Sequence, residues 1–274
     1  MIRFPRDRAA ARKSLTPITY HLSLIPQYHE RMRILAIDAG NSRIKWGVHD
    51  DGSWAVQGWE ATARASQLAR AWSGLALPEA AVAANVAGAG AARAIAAAAR
   101  GFRGRLRFVK SEALQCGVRN SYDEPGQLGP DRWAALIGAR HIHPRACVVI
   151  NAGTTMTVDA LAADGVFLGG MIVPGTDLMR AALVRGTARL RPRGGRFAFF
   201  PANTEDAIAS GAANALAGAV ERMMRFMEQA GQDRPLAIVS GGAAQLVAPQ
   251  LNGTVEVVDN LVLEGLVRIA LDGK

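Results

Sequence analysis

Two segments of this 274-residue chain end an apolar run in a glycine turn flanked by polar donors. In the first, the run Asp38-Ala39-Gly40-Asn41-Ser42-Arg43-Ile44-Lys45 closes a short apolar stretch. Gly40 has no Cβ, so backbone N–H groups can approach an anion closely. Asn41, Ser42 and Lys45 add polar donors, and Asp38 is placed to hold Mg2+ directly or through water. The same residues also suit a plain β-hairpin with Asx-turn chemistry. The second segment, Asn151-Ala152-Gly153-Thr154-Thr155, aligns with the first at an offset of 113 residues, and the same offset carries Asp51-Gly52 onto Asp164-Gly165. A strand, a glycine turn, a second strand and a hairpin therefore recur in register. That reads as an internal duplication, or as two unrelated units sharing common turn chemistry. Two such turns facing each other would clamp a polyphosphate from both sides. Neither a G-x-x-x-x-G-K-[ST] loop nor a G-x-G-x-x-G following a strand is present.

The pattern predicts the elements that must position these residues. Strands are expected at 33–38, 42–49 and 53–59, the last two joined by a hairpin at Asp50-Asp51-Gly52. A helix over 63–73, with Leu68 and Trp72 one turn apart, precedes a strand at 80–86, an Ala-rich helix packed closely on a sheet, and a strand at 106–109. Residues 117–130 are dense in Gly, Pro, Asn and Asp and read as a loop. Asp131 then stands where an N-cap would, opening a helix over 132–143. A second half begins at Ala146, with strands at 147–151, 155–161 and 166–173 and helices over 175–185 and 204–229. A strand at 235–240, Gly241-Gly242, a helix, a short strand at 255–258 and a helix at 261–271 complete the chain. The helix over 204–229 carries Leu216, Met223, Met224 and Met227 on more than one side, more than a one-faced surface helix needs. Burial within one subunit and burial between subunits both fit.

Half of the residues are apolar and 20% are charged, which excludes global disorder. Lys and Arg total 32 against 23 Asp and Glu, a net +9 that on its own suggests nucleic acid or an anionic surface. Its placement weakens that reading. Residues 1–31 hold Arg3, Arg6, Arg8, Arg12, Lys13 and Arg31 against Asp7 and Glu30, so +4 lies in this leader and +5 on the rest. The leader has no run suited to a signal peptide or membrane helix. It reads as a disordered or loosely docked extension, with the core beginning at Met32. Cys116 and Cys147 are too few for a disulfide framework or a Cys-based metal site and suit reduced thiols in a cytoplasmic protein. The five histidines show no metal-ligand spacing.

Taken together, the two turns resemble the actin-like phosphotransferase superfamily, in which two ribonuclease-H-like halves close around ATP. The segment from Tyr122 to Trp133, Y-D-E-P-G-Q-L-G-P-D-R-W, narrows the resemblance to the type III pantothenate kinase family. It covers the chain from Met32 onward. It rests on D-A-G-N-S-R-I-K-W at 38–46, G-P-D-R-W at 129–133, A-G-T-T-M-T-V-D at 152–159, G-G-M-I-V-P-G at 169–175, T-A-R-L at 187–190 and S-G-G at 240–242. The resemblance implies an α/β fold of two duplicated ribonuclease-H-like halves, 32–144 and 145–274, with mixed sheets flanked by helices. It also implies transfer of the ATP γ-phosphoryl group to the 4′-hydroxyl of pantothenate.

Carried over residue by residue, Asp38 to Lys45 form the first phosphate turn and Thr154 touches ATP from the second. Gly241 and Gly242 lie near the adenosine. Asp131 is the general base. Tyr122, Gly129, Pro130, Asp131, Arg132 and Thr187 line the pantothenate pocket. Each has a plainer reading: Asp131 as a simple N-cap, Arg132 as a surface ion pair, Tyr122 as loop packing, Thr187 as a helix-end hydroxyl. Lys45 sits on a strand whose alternate residues were expected to face solvent, and Trp46 and Trp133 suit the core. Mg2+ accompanies ATP. Many family members hold K+ or NH4+ with an Asp at the start of the second turn, where this chain has Asn151; its amide oxygen can still ligate the ion but lacks the carboxylate's charge, so the resemblance implies a monovalent cation with a weaker site than usual. Asp159 either joins that site or pairs structurally. The family further implies a homodimer whose active site is completed across the interface, with no nucleic-acid or membrane partner. Two readings compete: a kinase or phosphatase for another acceptor, and a nucleotide-binding protein acting on nucleic acid. Deleting residues 1–31 should leave turnover in a kinase assay unchanged, whereas lost turnover would make the leader part of the enzyme.

Overall fold

The computed structural model describes residues 32–102, 104–187, 190 and 194–272, so the basic leader and Ala188 and Arg189 of the T-A-R-L segment lie outside the described residues. The first sheet begins as an antiparallel meander, β1 (Ile34–Ala39), β2 (Arg43–Asp50) and β3 (Ser53–Ala61). After a 3-10 segment at Thr62–Gln67 and a one-turn α1 (Leu68–Ala71), β4 (Ala80–Asn85) returns parallel to β1. The helix α2 (Ala89–Ala98) then leads to β5 (Leu106–Phe108), giving the order β3-β2-β1-β4-β5.

The chain next lays down β6 (Leu114–Gln115), β7 (Val118–Asn120) and α3 (Pro130–Ile142). A second meander follows: β8 (Cys147–Ala152), β9 (Thr155–Leu161) and β10 (Val166–Pro174). Helices α4 (Thr176–Gly186) and α5 (Thr204–Gln229) precede β11 (Leu236–Ser240), α6 (Ala244–Val247), β12 (Val255–Val257) and α7 (Leu261–Asp272). The second sheet runs β12-β11-β8-β9-β10-β7-β6. Its stretch β10-β9-β8-β11-β12 repeats the path of the first sheet, with antiparallel pairs in the meander and parallel pairs at β8–β11 and β11–β12. The fold is thus two ribonuclease-H-like α/β halves of the actin-like type.

The repeat is not rigidly in step. Ala39 pairs with Ile44 across the first glycine turn, but Ala152 pairs with Met156 across the second. The second turn is one residue shorter, so Lys45 corresponds structurally to Thr157. The boundary between the sheets also falls earlier than residue 144: β6 and β7 add to the edge of the second sheet, β7 running parallel to β10. Residues 118–120 are therefore strand, where a loop was expected. The expected helix over 63–73 is mostly 3-10, with non-helical backbone at Arg64, although Leu68 and Trp72 are both buried as that pattern required.

Because β1, β4, β8 and β11 are covered on both faces, they read as near-continuous apolar runs. On the outer face of the first sheet, Leu35, Ile37, Ile44 and Trp46 pack with Ile95 of α2. On the outer face of the second, Val148, Ile150 and Val158 pack with Leu216, Val220, Met223 and Met227 of α5, and Met224 lies partly buried on the same core. The apolar breadth of α5 is thus used within the chain and no longer argues for a subunit interface. Between the sheets lie α3 and α7, whose residues join Ile34, Val82, Val149 and Ile238 in one core. Trp133 is fully buried there and Trp46 nearly so, both as core residues. Among the described residues no helix is long and apolar enough to cross a membrane.

The two central helices touch backbone to backbone at two glycines. A Cβ on Gly138 would stand 2.6 Å from the Leu261 carbonyl oxygen, and one on Gly265 would overlap the Ala134 carbonyl. Gly265→Ala should therefore destabilise the protein by about 1–3 kcal/mol, as overpacking does. Urea unfolding measures this, and an unchanged midpoint would contradict the close crossing.

Candidate active site

The first glycine turn is braced from the side. Gly40 N–H donates to Arg43 O at 3.0 Å, Thr62 Oγ1 donates to Gly40 O at 2.7 Å, and Thr62 N–H donates to Ser42 O at 3.1 Å. Asn41, Ser42 and Arg43 are left exposed. The Arg43 guanidinium lies 4.5 Å from the centre of the Trp59 ring. The second turn is held in the same way: Gly153 N–H donates to Thr155 O, and Gly175 N–H to Thr154 O, both at 3.0 Å. A Cβ on Gly175 would stand 2.6 Å from Thr154 O, so the glycine closing the G-G-M-I-V-P-G segment is required for this contact. The two turns meet, with Ser42 Oγ 2.7 Å from Thr154 Oγ1.

Asp38 pairs with Lys45 across β1 and β2. Their neighbours Ile37, Ile44 and Trp46 belong to the outer core, so Asp38 and Lys45 point to the inner side, between the sheets. Lys45 is partly buried rather than on a solvent face. Burial pushes the Asp38 carboxyl up to about 7, the Asp131 charge adds to this, and Lys45 opposes it. The ends of β1 and α3 are therefore electrostatically one site.

Asp131 enters that site from the first turn of α3. The N-cap is Gly129 and Pro130 occupies the first helical position, where its missing N–H costs nothing. Asp131 is thus the second helical residue and not the cap. A Cβ on Gly129 would stand 2.7 Å from Asp131 Oδ1, so the glycine leaves room for the carboxylate. Burial raises the Asp131 pKa, while the backbone N–H groups of Arg132 and Asp131 and the Arg132 charge pull it down.

Arg132 is 6% exposed and its partner Asp159, on β9, is 1% exposed. Its Nη2 donates to Asp159 Oδ1 at 2.5 Å, and Nε lies 3.2 and 3.1 Å from Oδ1 and Oδ2. Burial works against the Arg132 charge, and the Asp159 carboxylate overcomes it, so the guanidinium is held protonated more firmly than usual. Nη1 donates to Tyr122 Oη at 3.3 Å, and the Tyr122 ring leans on Phe167 with centres 5.3 Å apart. Asn120 Oδ1 accepts from Tyr122 N–H at 3.1 Å, and Ser121 Oγ donates to Phe167 O, which ties this loop to β10.

The remaining candidates are placed as follows. Gly241 lies beside the second turn with φ +99°, and a Cβ there would stand 2.5 Å from Ala152 O and 2.8 Å from Asn151 Oδ1. Gly242 follows it into α6. Asn151 stands next to last in β8, paired with Thr157 and Ser240. Thr187 caps the end of α4 and its hydroxyl donates to Leu183 O at 2.8 Å, the helix-end role. Asp159 takes the structural-pairing role, one of the two expected of it. Two contributors were not assigned from sequence: Gly170 stands inside a quoted motif with no role attached, and nothing local marks Thr62 as the brace of a turn.

The family model for type III pantothenate kinase matches residues 34–226. The chain belongs to this family. Relatives named type III pantothenate kinase include one from Aromatoleum aromaticum, 50% identical over 86% of this chain and 97% of its own length, and one from Nitrosospira multiformis, 46% identical over 86% and 90%. Among solved structures, one described as a Baf family transcriptional activator from Campylobacter jejuni is similar with a TM-score of 0.58, at 18% identity over 87% of this chain and 98% of that one. The ethanolamine utilization protein EutJ from Carboxydothermus hydrogenoformans is similar with a TM-score of 0.50, at 16% identity over 91% and 92%. At these identities the two structures show the fold.

For this pantothenate kinase, the raised Asp38 pKa carries a sign. The folded protein binds the Asp38 proton up to about pH 7 and the unfolded chain releases it near 3.8. Stability from this group is therefore full at low pH and lost as pH rises through about 7. Asp38→Asn should raise the thermal midpoint of the unliganded protein above neutrality and change it little near pH 4. An equal effect at both ends of that range would contradict the assignment.

Proposed function

We propose that this chain transfers the γ-phosphoryl group of ATP to the 4′-hydroxyl of pantothenate, the first step of coenzyme A synthesis. The observation that supports this reading best is the contact of two glycine turns through Ser42 and Thr154, with Asp38 at the edge of the first turn and within electrostatic reach of Asp131 in the first turn of α3. The turn from Asp38 through Ala39, Gly40, Asn41, Ser42, Arg43 and Ile44 to Lys45 takes the phosphates on one side and Thr154 on the other. A phosphate entering between them replaces the Ser42–Thr154 bond with bonds to itself. Gly241 and Gly242 border the adenosine.

Asp131 is the general base. Its burial makes it a stronger base than a solvated carboxylate, and the Arg132 N–H aims it. Tyr122, Gly129, Pro130, Arg132 and Thr187 surround the acceptor. The donor set suits Mg2+, which takes one or two carboxylates together with substrate phosphates. Asp38 is such a carboxylate, partly buried, with the Asp131 charge raising its pKa and Lys45 opposing it. Mg2+ supplies neutralisation of charge on the transferring phosphoryl group. For K+ or NH4+ the fit is poorer. Asn151 offers a neutral amide oxygen, and the Asp159 carboxylate is taken by Arg132. Either ion is therefore expected to raise turnover, with a weaker dependence than a carboxylate at this position would give. A homodimer and a cytoplasmic location belong to the same proposal, with the family likeness as their support.

Coupled ADP release with an acceptor screen tests the reading: pantothenate should be turned over, and turnover of a sugar or polyphosphate with none of pantothenate would end it. Asp131→Asn should lower turnover by at least ~10²-fold, the low end for loss of a general base, with nucleotide binding little changed. Near wild-type turnover would remove Asp131 from the base role.

A further inference from the structure

We infer that Asp159 is a positioning residue for Asp131, acting through Arg132, and that the Arg132 guanidinium is a brace rather than the ligand of the acceptor's carboxylate. This rests on the proposed role of Asp131 as the base. Arg132 directly follows Asp131 in the first turn of α3. Whatever fixes Arg132 therefore also fixes the turn that carries the base, and the Arg132 N–H and charge both lower the Asp131 pKa.

Asp159 is well suited to fix it. It lies in the interior of β9, which pairs with β8 on one side and β10 on the other. Three contacts from Nε and Nη2 converge on its carboxylate, while Nη1 holds Tyr122. Tyr122 and Phe167 each place a ring centre 5.9 Å from the guanidinium carbon. Room for the pair depends on Gly170 of β10: a Cβ there would overlap Asp159 Oδ1 and stand 2.6 Å from Arg132 Nη2. The first turn of α3 is thus tied across the inner space to the middle of the second sheet.

The same geometry disfavours a ligand role for the guanidinium. Of the five N–H groups of an arginine, three are engaged, and the side chain is 6% exposed. A substrate carboxylate would have to compete with a partner already desolvated and in place. The Arg132 charge lowers the Asp131 pKa, and the Asp131 charge raises that of Asp159. The charged groups that face this cluster are Asp38 from β1, Lys45 from β2 and Asp159 from β9, with Arg132 on the helix itself.

Steady-state kinetics of Asp159→Asn, Arg132→Lys and the double variant Arg132→Met/Asp159→Leu test the inference, with folding checked by thermal unfolding. Asp159→Asn should lower kcat by about 10²-fold, the scale of a small misplacement, with KM for pantothenate nearly unchanged. Its acid limb in the kcat–pH profile should move to lower pH, because one fewer neighbouring carboxylate favours ionised Asp131. Arg132→Lys keeps the charge but not the fork, and should also lower kcat rather than raise KM. The double variant removes both charges without stranding either, so it should fold, show the kcat loss and keep the wild-type acid limb. A folded double variant with wild-type kcat would reduce the pair to fold stability and overturn the inference. A raised KM for pantothenate with unchanged kcat in Arg132→Lys would make Arg132 a substrate ligand and overturn it as well. Absence of pantothenate turnover in the wild type would remove the base role of Asp131, and the inference with it.

Discussion

The arrangement depends on the crossing of α3 and α7. Each is the last helix of its half, and each covers the inner face of a sheet that would otherwise be open. Gly138 and Gly265 bring the helix backbones into direct contact, so the separation of the two sheets is set by main-chain atoms and not by adaptable side chains. This fixes where α3 begins. Its first turn then has one available neighbourhood, between the end of β1 and the interior of β9, and Asp131 and Arg132 are the residues that stand there.

Charge is distributed unevenly around that first turn. Asp131 lies within electrostatic reach of two further carboxylates, Asp38 and Asp159, with Lys45 acting on Asp38 and Arg132 on Asp131 and Asp159. Asp159 and Arg132 largely cancel. Asp38 and Asp131 are left short of positive charge in a poorly solvated place, an unfavourable state for the empty protein. On the proposed function, a nucleotide with its divalent ion would relieve it, and one of the two carboxylates would serve as base for the acceptor hydroxyl. Strain of this kind is common where binding and catalysis share the same groups.

The sequence reveals those features whose cause is local. Apolar runs ending at glycine turns locate β1 and β8, and Thr155–Leu161 and Thr204–Gln229 are found with the bounds the sequence suggests. Other features depend on distant parts of the chain. Residues 118–120 form a strand with a polar asparagine at a buried position, which no alternation of apolar residues signals. Asp131 resembles an N-cap until Pro130 is recognised as the first helical residue and Gly129 as the cap. The one-residue difference between the glycine turns is hidden because the hairpin beyond each restores the offset of 113. The partner of Arg132 lies 27 residues away on a strand of the other sheet, a pairing that the assembled fold alone creates.

The central claim is that one site joins the two turns to the base on α3 and directs the phosphoryl group to a single acceptor hydroxyl. Phosphorus NMR of a reaction containing wild-type protein, ATP, Mg2+ and pantothenate tests this most directly. The account predicts ADP and a single new phosphomonoester resonance, that of 4′-phosphopantothenate, growing in equal amounts. ADP accompanied by inorganic phosphate, with no new phosphomonoester, would contradict it.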